Sequence, residues 1–308
     1  GAGLIVQNIL FYFFTAFLIF RIIELVFHSK EQAFLGVVLF STALPILFFG
    51  LSYMTDMGVW FFSSLSVYLT LLYLNHKNEK LIVINGLLSG VGVLLKATGG
   101  LGILFFIMII LLSREFNLRE KFFKILKFGA VFLIPIIILQ IYTFIFFRYT
   151  PLDGYVFMRP KCPVQGCGGT QPGSVYEHLG RFTSIIYAYS GEFLKAFGII
   201  GLFFSLIGLW REWLQKNRER AKIYLALLPF SLSFLIYMPT DSRFAFLSTP
   251  LLILLATYGL IYLKDIFSGK KGTLIITVLI TGHIVFNYYF LTVGSYRLII
   301  LQLINYIK

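Results

Sequence analysis

Charge is scarce in this sequence. Charged residues make up 13% of the 308 positions, whereas 58% are hydrophobic and 18% are aromatic. The mean hydropathy is +0.88. This balance excludes a water-soluble globule, whose surface needs far more charged residues. Several apolar runs approach the roughly 20 residues that cross about 30 Å of hydrocarbon. The composition therefore predicts an all-α fold, a polytopic bundle of transmembrane helices.

Cysteine is also rare. The two cysteines, Cys162 and Cys167, both lie in a long polar segment at 148–190. Loops of this length are usually functional or disordered, and the Tyr, Phe and Ile residues here favour an ordered one. Outside the cytoplasm, two cysteines this close more often form a disulfide than anything else, because a zinc site would need further ligands. We expect a Cys162–Cys167 disulfide in one long structured external loop.

Charged clusters divide the apolar sequence into about ten predicted spans. They lie near 3–27, 32–51, 57–74, 81–95, 99–112, 123–147, 192–210, 222–238, 244–263 and 273–293. A last apolar stretch at 298–307 is too short to cross, so we expect it in the membrane interface. We find no internal repeat and no second soluble domain. The prediction is one transmembrane domain over 1–308 that contains the loop 148–190.

The net charge of +13 would suggest nucleic acid as a partner of a soluble protein. Here the basic residues sit in turns between spans, so we expect no nucleic-acid binding. One set of alternate connections holds 16 Lys or Arg residues, and the opposite side holds eight. The positive-inside rule makes the richer side cytoplasmic. Lys96 then lies on the external side.

Lys96 stands between "GLLSGVGVLL", whose small residues permit close helix packing, and "ATGG", which allows a turn. One interpretation is a lysine that reaches to the lipid headgroups. The other is a cation that receives an anionic group, with small residues leaving room beside it. Arg243 begins a later span on the same side, where Asp241 could also pair with it or cap the helix. Two such cations at one site would suit a lipid phosphate or diphosphate.

Three further residues are candidates for a sugar or metal site. Asp56 begins a span, which indicates a helix N-cap, a carboxylate facing an external cavity, or both. Glu177 and His178 lie in the long loop. Their side chains would diverge by about 100° on a helix, so the pair does not form a metal clamp by itself.

Three stretches carry a resemblance to a known family. They are "ALPILFFGLSYMTDMGVWFFSSLSVYLTLLYL" (43–74), "INGLLSGVGVLLKATGGLGILF" (84–105) and "SRFAFLSTPLLILLA" (242–256). In this order they resemble the GT-C class of membrane glycosyltransferases, in the branch of the protein O-mannosyltransferases and the aminoarabinose transferase that modifies lipid A. The likeness covers most of the chain and rests on motif order and topology.

The resemblance implies a glycosyltransferase that uses a polyprenyl-phosphate or polyprenyl-diphosphate sugar at the non-cytoplasmic face of the plasma membrane. The acceptor would be a hydroxyl of a lipid or protein, and the reaction an inverting displacement. By the same resemblance Lys96 and Arg243 would bind the donor phosphate, and Asp56 would shape the sugar or metal site. Some relatives bind a divalent metal through external loops, which makes Glu177 and His178 candidate ligands.

The family's catalytic acid lies in the external loop after its first span. Here residue 3 already begins a span, and position 1 is Gly rather than Met. We therefore expect an N-terminally truncated sequence, with the catalytic acid before residue 1. Two alternatives remain open: a non-catalytic membrane subunit of a larger complex, and a transporter of lipid or solute. A transporter would favour repeated halves and broken helices at the midplane.

Overall fold

A computed structural model of the chain describes residues 2–43, 56–147, 197–198, 200–232, 249–267 and 269–307. Over 290–307 this description covers the backbone. Throughout these ranges the regular secondary structure is helical, without strands. The predicted fold class, an all-α bundle of apolar helices, is confirmed.

The described helices are numbered here in chain order. They are α1 (Ala2–Phe27), α2 (Lys30–Ser41), α3 (Asp56–His76), α4 (Glu79–Leu95), α5 (Gly102–Leu112), α6 (Leu118–Phe147), α7 (200–215), α8 (Arg218–Leu232), α9 (Thr249–Phe267) and α10 (Gly269–Ile307). A short 3₁₀-helix, Ala97–Gly100, lies between α4 and α5.

Five of the described helices are long and apolar enough to cross a membrane. Their apolar segments are Ile5–Phe27, Met57–His76, Leu118–Phe147, Thr249–Phe267 and Gly269–Tyr289. Helices α4 and α5 are shorter, with 17 and 11 residues, in agreement with the two short spans predicted around Lys96. The total of about ten spans stays a prediction, because several predicted spans extend beyond the described residues.

Helix α10 differs from the sequence expectation. A span at 273–293 and a separate interfacial stretch at 298–307 were predicted, but Gly269–Ile307 is one helix of 39 residues. At 1.5 Å per residue it is about 58 Å long, well beyond the roughly 30 Å of a hydrocarbon core. The sequence contains no proline over this range, and polar residues alone do not end a helix.

Three two-residue turns share one design. His28, Lys77 and Lys216 have left-handed backbones, with φ of 55°, 54° and 51°. Each is the first residue after a helix and ends that helix by adopting the αL conformation. The next residue is Ser29, Asn78 or Asn217, whose side chain accepts a hydrogen bond from the first turn of the following helix. A basic residue and a capping residue thus reverse the chain three times.

Glycines set the closest helix contacts. A β-carbon at Gly86 would lie 2.9 Å from the carbonyl oxygen of Phe128, and one at Gly90 would lie 2.3 Å from that of Phe132. Helix α4 therefore packs its small-residue face directly on α6, as the stretch before Lys96 predicts. In the second half of the chain, a β-carbon at Gly208 of α7 would meet the Leu255 carbonyl of α9 at 1.8 Å.

The remaining contacts join the helices into one bundle. Helix α1 packs on α2 and α3, α5 packs between α3 and α8, and α9 contacts α2, α8 and α10. Fully buried aromatic rings fill the centre, and Phe106 of α5 stacks on Phe128 of α6 with ring centroids 4.3 Å apart. These contacts fix the positions of both ends of α3 and α4 within the bundle.

Candidate functional site

The bundle has two chemically different ends. We call the end formed by the start of α3 and the turn after α4 the Lys96 end. The basic end is formed by the three two-residue turns, the connection between α5 and α6, and the connection between α9 and α10, where Lys264 pairs with Glu31. Helices α3 and α4 run antiparallel, because Gly58 packs against Leu95, and Gly92 packs against Phe62. Asp56, which begins α3 two residues before Gly58, is therefore level with Lys96.

Lys96 joins α4 to the 3₁₀-helix in a tight turn. Its backbone is extended, with φ of −164° and ψ of 141°. Its N–H donates to the Gly92 carbonyl at 3.3 Å, and its carbonyl accepts from the Gly99 N–H at 2.7 Å. The side chain is half-buried. The turn is closed from both sides by backbone, so the position of the Lys96 α-carbon is well defined.

Two glycines make this turn possible. A β-carbon at Gly99 would lie 2.2 Å from the Gly92 carbonyl oxygen, and one at Gly92 would lie 2.6 Å from the Gly99 carbonyl oxygen. No side chain fits between the two backbones at these distances. The "ATGG" that follows Lys96 does form the turn that its small residues predict.

The other predicted site residues are less fully described. The backbone of Asp56 forms the first residue of α3, as expected of a helix start, but its side chain lies outside the described part. Arg243, Glu177, His178 and the predicted Cys162–Cys167 disulfide lie outside the described residues, as does the loop 148–190. Their proposed roles remain predictions.

Metal binding also remains a prediction. Within the described ranges, no group of three or more His, Cys, Asp or Glu side chains is placed to hold a metal ion. The candidate ligands Glu177 and His178 belong to the part of the chain outside those ranges. His283 of α10 is fully buried, and its Nε2 lies 3.2 Å from Asn287 Nδ2.

A buried polar cluster lies between α3 and α4. Asn85 Nδ2 donates to the Ser66 carbonyl at 3.1 Å and to Thr70 Oγ1 at 2.9 Å, while Ser89 Oγ donates to Asn85 Oδ1 at 3.3 Å. Such bonds hold transmembrane helices together without hydrophobic driving force. This cluster was not predicted from the sequence, although a lone Asn within an apolar span is itself a signal for one.

The basic end contains a buried ion pair that was not predicted from the sequence. Arg220 Nε of α8 lies 2.9 Å from Glu212 Oε1 of α7, and the side chains are only 16% and 7% exposed. Tyr224 donates to the same carboxylate at 3.0 Å, and Arg220 also donates to Tyr258 of α9. Burial raises the pKa of Glu212 above its ordinary value, and the Arg220 charge only partly offsets this.

Another ion-pair cluster at this end ties α4 to α6. Lys124 and Lys127 donate to the two carboxylate oxygens of Glu79 at 2.6 and 2.9 Å. Burial alone would raise the pKa of Glu79, but the two hydrogen-bonded lysines outweigh it and hold the pKa below its ordinary value. The carboxylate is about half exposed, so this pair contributes mainly to local geometry.

A cavity of about 250 Å³ lies at the basic end among α1, α3, α5 and α8. Its polar wall includes His28, Asn75 and Arg220. Acidic and basic groups are mixed here, and Glu219 of the wall pairs with Lys222 at 2.6 Å. Because its wall carries both charges, the cavity shows no preference for a cationic or an anionic ligand.

Fold and composition together define an integral membrane protein of bundled helices. Residues 1–142 match the model of a family described as dolichyl-phosphate-mannose-protein mannosyltransferase. This confirms the resemblance over the part of the chain that holds α1 to α5, Lys96 and most of α6. The family is one of membrane glycosyltransferases of the GT-C type. Neither the curated proteins nor the solved structures compared with this chain gave a match.

Proposed function

We propose that the protein transfers a sugar from a polyprenyl-phosphate donor to an acceptor hydroxyl at the non-cytoplasmic face of the plasma membrane. The observation that carries the proposal is the family match over 1–142 together with the single lysine in the tight turn of that region. Lys96 is level with the start of α3 at Asp56, so a cation and the candidate sugar-site residue belong to the same end of the bundle.

The reaction is a displacement at the anomeric carbon. The acceptor oxygen forms a bond to that carbon, the bond to the phosphate oxygen breaks, and the lipid phosphate leaves with the bonding electrons. The hydroxyl proton passes to a base that we assign to none of the described residues. Negative charge develops on the departing phosphate, so a cation held at that point lowers the barrier. In this proposal Lys96 and Arg243 supply the charge.

Two properties of the Lys96 turn support this role. The Gly92–Gly99 contact fixes the backbone, so the ammonium group is tethered to a rigid point by its own flexible stem. Lys96 is also half-buried rather than fully exposed, so its stem lies partly against the protein at the end of α4. A lysine that only anchored the helix at the headgroups would need no such turn.

Binding of polyprenyl monophosphate to the purified protein in nanodiscs tests the proposal. Lys96→Ala should weaken binding at least about tenfold, since hydrogen bonds to charged groups contribute about 1.5–3 kcal/mol. Lys96→Arg should retain most of the affinity. Lys270→Ala removes the same charge at the basic end and should change nothing. Uncharged polyprenol should bind wild type and Lys96→Ala equally. Unchanged affinity of Lys96→Ala for the phosphate would refute the assignment.

A further inference from the structure

A second lipid-binding feature lies at the basic end. A cleft of about 760 Å³ runs between the α5–α6 connection and α8. Its cations are Arg114 and Lys121 on one side and Arg218 and Lys222 on the other, with Glu219 as the acidic residue of the lining. Because Lys222 is paired with Glu219, the cleft keeps a clear excess of positive charge.

The two arginines are available to a ligand. Lys121 donates to the Leu111 carbonyl at 2.7 Å and so closes the α5–α6 connection. Among the described residues, by contrast, no side chain forms an ion pair or hydrogen bond with the guanidinium groups of Arg114 and Arg218, and both are exposed. Guanidinium groups match the oxygens of a phosphate in a bidentate geometry.

The cleft has an apolar wall on the side away from the helix ends. Leu111 and Leu225 line it and are 47% and 50% exposed. Both sides of the cleft show the same order. Leu111 lies in the last turn of α5 and Arg114 follows the end of that helix, and Leu225 lies about two turns beyond Arg218, the first residue of α8. On both sides of the cleft, the apolar wall lies deeper and the cations lie nearer the helix ends. A phospholipid has the same order, with its acyl chains deeper in the membrane than its phosphate.

Two tryptophans place the cleft at the level of a membrane interface. Trp210 and Trp213 of α7 are 57% and 67% exposed, and their ring centroids lie 5.5 Å apart. Tryptophan concentrates at the boundary between hydrocarbon and headgroups. Helix α8 starts directly after the Lys216–Asn217 turn that ends α7, so Arg218 lies at the same end as these rings.

We propose that this cleft binds one anionic glycerophospholipid of the adjacent leaflet. Arg114 and Arg218 hold the phosphate, and Leu111 and Leu225 contact the first part of an acyl chain. Basic pockets between transmembrane helices recognise anionic headgroups in this way. The site is distinct from the proposed donor site, which lies at the opposite end of α3 and α4.

Native mass spectrometry of the full chain in detergent, titrated with phosphatidylglycerol or with phosphatidylcholine of the same acyl chains, tests the proposal. Wild type should prefer phosphatidylglycerol, and an Arg114→Gln/Arg218→Gln variant should bind it about tenfold or more weakly. The control is Lys270→Gln/Lys271→Gln, which removes two charges from the same end outside the cleft and should keep wild-type affinity.

A second variant separates the cleft from its charge. Ala221→Phe places a ring in the cleft lining without changing any charge and should also displace phosphatidylglycerol. Soluble glycerol 3-phosphate should not compete, because it lacks the acyl chain. Undiminished binding by either cleft variant, an equal loss in the Lys270/Lys271 control, or full competition by glycerol 3-phosphate would each overturn the proposal.

Discussion

The contact between Gly92 and Gly99 determines the backbone on both sides of Lys96. The Gly92 carbonyl cannot move away from a β-carbon added at Gly99 without disturbing the turn, since it accepts a hydrogen bond from the Lys96 N–H. At this scale the structure depends on the absence of two side chains. Backbone contacts and backbone hydrogen bonds hold the turn, so its shape does not depend on the Lys96 side chain.

Gly99→Ala should therefore destabilise the protein. Its β-carbon would lie 2.2 Å from the Gly92 carbonyl oxygen, and overpacking of this kind costs about 1–3 kcal/mol. Gly129→Ala in α6 is the matched control, because no atom lies within 4 Å of its added β-carbon. Unfolding by denaturant in bicelles measures both. Equal stability of Gly99→Ala and Gly129→Ala would show that the turn is not packed as described.

At the residue scale, the features that could be predicted from the sequence are those that depend on the size of local residues. Small residues around Lys96 predicted close packing and a turn, and both are present. The Glu212–Arg220 pair was not predicted, because these residues are eight positions apart across a helix break. The charged residues near a turn do not indicate which side chains will be buried against Tyr258 of α9. Such burial depends on tertiary packing, which local pattern does not encode.

The recurring element is the two-residue turn at the basic end. Each turn places a non-glycine residue in the left-handed region, which is strained by about 1–2 kcal/mol for an L-residue. The hydrogen bond of the following cap, as in Asn217 Oδ1 with the N–H groups of Glu219 and Arg220 at 3.1 Å, offsets part of this cost. These strained positions are occupied by His or Lys rather than Gly, which agrees with a role of the side chains in membrane orientation.

Lys216→Gly should raise the free energy of unfolding by about 1 kcal/mol, because glycine adopts φ of +51° without strain. Lys216→Ala is the control: it removes the same side chain but retains the strained backbone, so it should not stabilise. Denaturation of the two variants in the same bicelles gives the comparison. Stabilisation of the alanine variant to the same extent would mean that the lysine side chain, not its backbone, was unfavourable.

Helix boundaries show where the sequence was informative. The starts of α3, α4 and α6 were predicted within a few residues, because charged or capping residues mark them. The end of α10 was not, since the polar residues at 295–297 resemble a break while the backbone continues as helix to Ile307. Polarity interrupts a hydropathy pattern, but only a missing N–H or a left-handed residue interrupts the hydrogen bonding.

The whole molecule is organised by its charge asymmetry. Cations crowd the basic end, whereas among the described residues Lys96 is the lysine of the opposite end. The pattern of apolar runs was enough to predict the helical class and the antiparallel arrangement of neighbouring helices. It could not predict which helices pack together over long sequence distances, such as α5 with α8 or α2 with α9. Those contacts depend on shape and on glycine positions.

The predicted orientation can be measured with single cysteines. In a background where Cys162 and Cys167 are replaced by Ser, Lys96→Cys should react with a membrane-impermeant thiol reagent added outside intact cells. His76→Cys, at an exposed position of the basic end, should react only after the membrane is opened. A permeant reagent should label both. Labelling of His76→Cys from outside would reverse the orientation and place the proposed donor site in the cytoplasm.

The most direct measurement is a structure of the protein determined with polyprenyl monophosphate bound. We predict density for the phosphate at the Lys96 end, with an oxygen about 2.7–2.9 Å from Lys96 Nζ. We also predict that Arg243 contacts the same phosphate. Phosphate density bound elsewhere, with the Lys96 ammonium directed to the lipid headgroups, would contradict the proposal that this lysine receives the donor.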